Sequence, residues 1–294
     1  MSRLAQPNQA CAQVMGVLNV TPDSFSDGGE HESVRQALIH GELMLAQGAH
    51  VIDVGGESTR PGAQLVDPIE EQRRVVPVIE ALTDLLAETS VRISIDTRNA
   101  ATAIAAVQAG ATLINDVSAS LWGTAADLGV GWVAMHMQAD PPTMQNAPTY
   151  EDVVGQVRAF LVERAELAIA AGVEEVWVDP GIGFGKTTAH NLDLLGHLDQ
   201  LVAEGFAVVV GTSRKRFLGE LIARSDDGFG PFTRAEVGSD LPEETRLVPT
   251  NERADGSLAT AMWAMIQGVQ MVRVHEVESA VQGAKILSGN ILIP

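Results

Sequence analysis

VRISIDTRNAATAIAAVQAGATLINDV, residues 91–117, contains one whole strand–helix–strand unit. VRISID (91–96) and TLINDV (112–117) are short, β-branched apolar runs that close on polar residues. Ala100 to Val107 between them reads as a helix. The runs are nearly continuous rather than alternating, as parallel strands buried on both faces are. Six similar runs lie outward from this unit: QVMGVLNV (13–20), HVIDVG (50–55), GWVAMH (131–136), EEVWVD (174–179), FAVVVG (206–211) and MVRVH (271–275). Helical patterns fill the gaps. Asp67-Pro68-Ile69-Glu70 supplies an N-cap, a first-turn proline and an acid, and Val75, Val78, Ile79 and Leu82 follow on one face. Thr149 with Asp152 reads as a capping box before Val153, Val157, Phe160 and Leu161. Leu194, Leu198, Leu201 and Val202 form one further stripe before Gly205.

Eight strands alternating with helices predict an α/β chain, a (β/α)8 TIM barrel in a single domain. The 294 residues suit such a barrel, which runs to roughly 250 plus insertions. An open doubly wound sheet is the competing architecture, and no G-x-G-x-x-G follows the first strand to support its dinucleotide-binding form. Residues 1–12 read as a tail and 13–294 as the barrel. The polar, Pro- and Gly-rich segment 224–255 reads as a surface excursion.

Hydrophobic residues make up 46% and charged residues 19%, with mean hydropathy +0.11, which excludes general disorder. No run reaches the ~18 apolar residues of a membrane span, and MSRLAQPNQACAQ lacks a signal-peptide core. The single cysteine, Cys11, points to a reducing, cytoplasmic setting and is not read as a nucleophile. A formal charge of -19 argues against a nucleic-acid or anionic-membrane surface. An anionic substrate would therefore need a locally basic site.

Barrels of this type place their chemistry at the C-terminal strand ends. Those ends carry Asn19, Asp53, Asp96, Asn115-Asp116, His136, Asp179, Ser213-Arg214-Lys215, and Arg273 with His275. Singly, each reads best as a helix cap or a satisfied rim group. Eight together point to a site. Asp96, Asn115 and Asp179 suit a planar heterocycle bearing N–H and amino groups. Arg60, Arg214, Lys215, Arg273 and His275, with Asn19, suit an anion, a phosphate above all. Gly55-Gly56, Gly181, Gly183, Gly185 and Gly211 allow close backbone approach, though turn geometry explains each equally well. No H-x-x-x-H or H-E-x-x-H is present, so a protein-held zinc is not expected. Magnesium held by substrate phosphates, water and Asn19 is compatible with the chain. No G-x-S-x-G elbow supports a serine hydrolase.

MGVLNVTPDSFSDGG (15–29), DVGGESTRPGA (53–63), SIDT (94–97), INDVS (114–118), DPGIGFGKT (179–187), GTSRKRFLG (211–219) and RVHEV (273–277) resemble, in order, the motif set of the dihydropteroate synthases. The resemblance spans the barrel from first strand to last. It implies a transferase of folate biosynthesis. That reaction joins 6-hydroxymethyl-7,8-dihydropterin diphosphate and p-aminobenzoate into 7,8-dihydropteroate and diphosphate. It also implies Mg2+ as cofactor, a homodimer, and inhibition by sulfonamides. Carried over by motif, Asp96, Asn115 and Asp179 bind the pterin, with Met135 and Phe184 packing on its ring and Gly211 and Lys215 beside it. Asn19, Arg273 and His275 hold the diphosphate, and Asn19 the metal. Phe25, Thr59, Arg60, Pro61, Ser213 and Lys215 shape the p-aminobenzoate site. The implied catalytic set is Lys215, Arg60, Asp96 and Asp179.

Two departures from the family pattern, Ala139 for glycine and Glu276 for aspartate, are expected to touch no proposed ligand. Two other readings stay open. A non-catalytic pterin-binding paralogue should have lost part of the anion set or the Ser-Arg-Lys motif. A pterin-dependent methyltransferase would keep the pterin acceptors but not need the STRPGA loop.

Overall fold

Eight parallel strands pair in sequence order, the eighth with the first, and close a barrel. The strands are β1 Gln13–Asn19, β2 Val51–Gly55, β3 Arg92–Asp96, β4 Leu113–Asp116, β5 Gly131–Met135, β6 Val176–Asp179, β7 Ala207–Gly211 and β8 Met271–Val274. This computed structural model describes residues 11–20, 29–57, 66–139, 144–145, 148–226 and 248–288. The open-sheet alternative is thereby excluded.

The strand runs look uniformly apolar, yet their two faces differ. Val14, Ile52, Ile95, Ile114, Trp132, Val178, Val208 and Val272 face outward and pack under the helices. Met15, Val51, Leu113, Val133, Trp177, Val209 and Met271 meet inside the barrel as a separate apolar plug. Burying each such side chain contributes roughly 1.5–3 kcal/mol. The next inward position along several strands is polar: Asp53 after Val51, Asn115 after Leu113, Asp179 after Trp177 and Arg273 after Met271. The plug is thus the floor beneath a polar mouth. The opposite end is sealed differently. Arg92 donates to both Glu175 oxygens at 2.7 and 2.9 Å, and Trp177 Nε1 donates to Glu175 Oε1 at 2.7 Å.

The helices are α1 Gly29–Ala46, α2 Pro68–Leu86, α3 Ala100–Ala109, α4 Trp122–Leu128, α5 Val153–Ala171, α6 Thr188–Gly196, α7 Leu198–Val202, α8 Arg216–Asp226, α9 Ala254–Ile266 and α10 Val277–Ser288. Asp67 caps α2 as expected, accepting from the Ile69 N–H. At α5 the cap is Asp152, which accepts from the Gly155 N–H, and not Thr149. Thr149 lies ahead of the helix, where its carbonyl receives Gln138 Nε2 at 2.7 Å. The single stripe expected over 194–202 is two helices. Gly196 weakens the first, and His197 leaves helical geometry at φ −129° with its Nδ1 on the Asp193 carbonyl. Both ends of the 224–255 excursion are helical. α8 runs to Asp226, a 3-10 turn spans Thr250–Glu252, and α9 starts at Ala254; 227–247 lies outside the described residues. Among the described residues no helix is long and apolar enough to cross a membrane.

Candidate active site

Strand register brings the polar strand ends to one level. Asn19 pairs with Gly55, Gly55 with Asp96, and Asp96 with Asn115, while Met135 pairs with Asp179 and Gly211 with Arg273. Asp96, Asn115 and Asp179 therefore share the barrel mouth, as their positions at the strand ends lead one to expect. Asp116 points the other way. Its carboxylate receives Ser118, Ser120, Leu121 and Trp132 Nε1, so it organises a turn and not the site.

Arg273 ties the floor together. Its Nε donates to Asp53 Oδ2 and one terminal nitrogen to Asp96 Oδ2, both at 2.7 Å. Asn115 Nδ2 donates to the same Asp53 oxygen at 3.0 Å. Burial works against the Arg273 charge, but Asp53 and Asp96 outweigh it and raise its pKa. Asp96 moves up because burial disfavours its carboxylate, against the pull of Arg273. Asp96 Oδ1, Asp53 Oδ1 and Ser94 Oγ are buried without a hydrogen-bond partner among the described residues. Leaving such a group unpaired costs roughly 1–3 kcal/mol. Asp96 Oδ1 is thus an acceptor at the mouth suited to a ligand N–H. In the sequence Asp53 reads only as a strand end; its inward parity, shared with Asn115, is the signal that it belongs to the site.

The loop after β6 supplies the next wall. Gly181 has φ +65°, and a Cβ there would stand 1.8 Å from the His136 carbonyl, so only glycine fits. Asp179 Oδ1 accepts from the Gly181 N–H at 2.7 Å. Burial raises the Asp179 pKa, opposed first by Lys215. The Lys215 ammonium donates to the Ile182 carbonyl and stands 4.6 Å from the Phe184 ring centroid. Burial lowers the Lys215 pKa to about 8, although Asp179 resists the shift. Pterin candidates Phe184, Lys215 and Asp179 are thereby brought together, with Met135 buried on the neighbouring strand.

The Ser213-Arg214-Lys215 turn is held from four sides. Arg214 adopts φ +60°, rare for a side-chain-bearing residue. Its N–H reaches Ser257 Oγ at 2.9 Å, its carbonyl receives Arg253, and its guanidinium pairs with Glu276 at 2.6 Å. Arg214 is therefore a structural cation and not part of the anion site. Glu276 Oε2 also accepts from Ser213 Oγ at 3.2 Å, so this departure does touch a proposed ligand residue, contrary to expectation. The fold places the two together because Glu276 follows β8 directly beside the β7 turn. Ser213 Oγ lies 2.9 Å from His275 Nδ1, which puts Ser213 against the anion candidates.

Phe25, Thr59, Arg60 and Pro61 lie outside the described residues. Asn19 is half-buried at the rim; a Cβ on Gly55 would lie 3.5 Å from its Oδ1 and 3.8 Å from Asp96 Oδ2. Among the described residues, no three His, Cys, Asp or Glu side chains converge as a metal cage. The Asn19 amide at the rim is the residue that could hold a Mg2+ whose other ligands are phosphate oxygens and water.

Known proteins share this architecture. The profile of the family described as pterin binding enzyme matches residues 15–275. The chain is 42% identical over 288 residues to the dihydropteroate synthase of Mycobacterium leprae, covering 95% of this chain and 93% of that one. The structure is similar to that of Yersinia pestis dihydropteroate synthase with a sulfonamide drug complex, with a TM-score of 0.81, 40% identity and 98% of each chain covered. It is also similar to Xanthomonas albilineans dihydropteroate synthase with 4-aminobenzoic acid, with a TM-score of 0.80, 41% identity and 97% and 95% of the two chains covered. A barrel whose mouth joins buried carboxylates to half-buried cations, in a sequence this similar along its length, belongs to the dihydropteroate synthase family of pterin-binding enzymes.

Proposed function

We propose that the mouth of this barrel joins 6-hydroxymethyl-7,8-dihydropterin diphosphate to p-aminobenzoate, releasing 7,8-dihydropteroate and diphosphate. The observation that carries this is Asp96 Oδ1, a buried acceptor without a partner among the described residues, level with Asn115 and on a carboxylate paired with the half-buried Arg273. Asp96, Asn115 and Asp179 take the N–H and amino groups of the pterin, and Phe184 and Met135 pack on its ring. Lys215 holds the ring from the Phe184 side. Arg273, with His275 and Asn19, faces the departing diphosphate.

An aromatic amine is a weak nucleophile, so departure of the diphosphate sets the barrier. The C–O bond to diphosphate breaks, the amine nitrogen bonds the exocyclic methylene carbon, and a proton leaves that nitrogen. Fixed cations around the diphosphate favour its leaving, and the buried carboxylates of Asp96 and Asp179 stabilise positive charge spread into the dihydropterin. When bound, Mg2+ would neutralise diphosphate charge, and Asn19 would be the protein ligand that holds it. p-Aminobenzoate, or a sulfonamide mimic, takes a slot shaped by Ser213 and Lys215 together with Phe25, Thr59, Arg60 and Pro61. Homodimeric assembly and a cytoplasmic location belong to the same reading. Trp263 and Ile266 leave apolar surface on α9 for a second copy, and the single Cys11 suits a reducing compartment.

A crystal structure with pteroic acid tests the assignment. The pterin should donate to Asp96 Oδ1 and Asp179 and lie on Phe184; a pterin seated elsewhere would overturn it.

A further inference from the structure

The loop after β6 holds one backbone turn bond, from the Phe184 N–H to the Gly181 carbonyl at 3.0 Å, and five consecutive carbonyls are each claimed by a side chain. Gly181 and Phe184 receive Lys186, Ile182 receives Lys215, Gly183 receives Gln145 and Gly185 receives Tyr150. Lys186 is the centre of this arrangement and no step of the reaction uses it. Its side chain is 3% exposed. Its Nζ lies 2.9 Å from the Gly181 carbonyl, 3.0 Å from the Phe184 carbonyl, 3.2 Å from the His136 carbonyl and 3.0 Å from His136 Nδ1.

We propose that Lys186 is a positioning residue for pterin recognition: its buried ammonium gathers His136 and the loop carbonyls, and so fixes the wall that carries Phe184 and receives Lys215. Burial lowers the Lys186 pKa to about 7, although Asp179 resists the shift; as an ammonium it has three N–H donors and no acceptor, shared here among three carbonyl oxygens and a ring nitrogen. Facing that ammonium, His136 is neutral, with Nδ1 accepting and the proton on Nε2. Burial agrees, holding the His136 pKa down to about 3. His136 is itself locked by an edge contact with Phe160, the ring centroids 5.0 Å apart. Gly181, Gly183 and Gly185 all take positive φ, and glycine reaches other conformations easily, so the loop depends on side-chain bonds for its shape. Lys186 supplies more of these bonds than any other side chain. Through it the backbone at Ile182 sets where the Lys215 ammonium rests, and the backbone at Phe184 sets the plane of the ring beneath it.

This inference rests on the proposed pterin site, and the test separates the two. Titration calorimetry with a pterin fragment is run on the wild type, Lys186→Met and Tyr150→Phe, alongside steady-state kinetics of both substrates. Wild-type protein that does not bind the fragment would sink the pterin reading itself. With wild-type binding in place, folded Lys186→Met should lose about tenfold or more in pterin affinity and gain as much in the KM of the pterin diphosphate. The KM of p-aminobenzoate, at saturating pterin diphosphate, should rise several-fold less, because Lys215 borders both slots while Phe184 packs on the pterin. A residue that only stabilises the fold would lower the melting temperature and leave this split absent. Unchanged pterin affinity in folded Lys186→Met overturns the proposal. If that variant does not fold, Tyr150→Phe decides. It frees only the Gly185 carbonyl, and a pterin-selective loss supports the clamped loop while unchanged pterin affinity overturns it.

Discussion

Replacing Asp179 by Asn removes one oxygen and a charge from the pterin site and alters little else. In the native site Asp179 Oδ1 already accepts from the Gly181 N–H at 2.7 Å, so that oxygen orients the carboxylate. An Asn side chain that keeps this bond must present its amide nitrogen to the pterin, setting donor against donor. One charge-assisted bond is lost, roughly 1.5–3 kcal/mol, and an unmatched donor is added. The sum of about 3 kcal/mol corresponds to about a hundredfold loss of pterin affinity. Flipping the amide does not help, because it gives up the Gly181 bond. Stability should hold or rise, since burial penalises the native charge at this position. Titration calorimetry with a pterin fragment and, separately, diphosphate measures the effect, with thermal melting as control. Unchanged pterin affinity refutes the reasoning. So does an equal loss for both ligands in a protein that melts earlier, because the site would then have collapsed as a whole.

Arg273→Ala should destabilise the fold by about 3–5 kcal/mol in chemical denaturation, because Asp53 and Asp96 lose the cation that pairs them. Gly181→Ala should cost about 3 kcal/mol or more, since its Cβ would meet the His136 carbonyl at 1.8 Å; a normal melting curve would contradict this. Lys215 carries its charge below about pH 8, so kcat/KM for the pterin diphosphate should fall as pH rises through that value, and a pH profile flat to pH 10 would remove Lys215 from the site. Folded His136 stays neutral down to about pH 3 while the unfolded residue protonates near 6.5, so the unfolded state binds more protons between those limits. Stability should therefore fall as pH drops below about 6.5, and His136→Gln should blunt that slope in pH-dependent denaturation.

The barrel could be read early because each strand is a local apolar run and eight of them alternate with helices. Its inner polarity was harder to see. VIDVG looks uniformly buried, and Asp53 emerges as a site residue only when the inward parity of β2 is known. The Arg273 bridge joins residues 220 and 177 positions apart, a contact that exists only because β8 closes on β1. Charge type alone grouped Arg214 with the anion ligands. The turn after β7 instead turns its guanidinium onto Glu276 across 62 positions of sequence. Helix caps show the same limit on a smaller scale: Thr149 and Asp152 are both capping residues, and the choice between them depends on Gln138 reaching the Thr149 carbonyl.

Turnover by purified protein supplied with 6-hydroxymethyl-7,8-dihydropterin diphosphate, p-aminobenzoate and Mg2+ tests the central claim most directly. The account predicts 7,8-dihydropteroate and diphosphate in equal amounts, with product formation suppressed by a sulfonamide. No product from protein that demonstrably binds the pterin would contradict it and assign the barrel to pterin binding without catalysis.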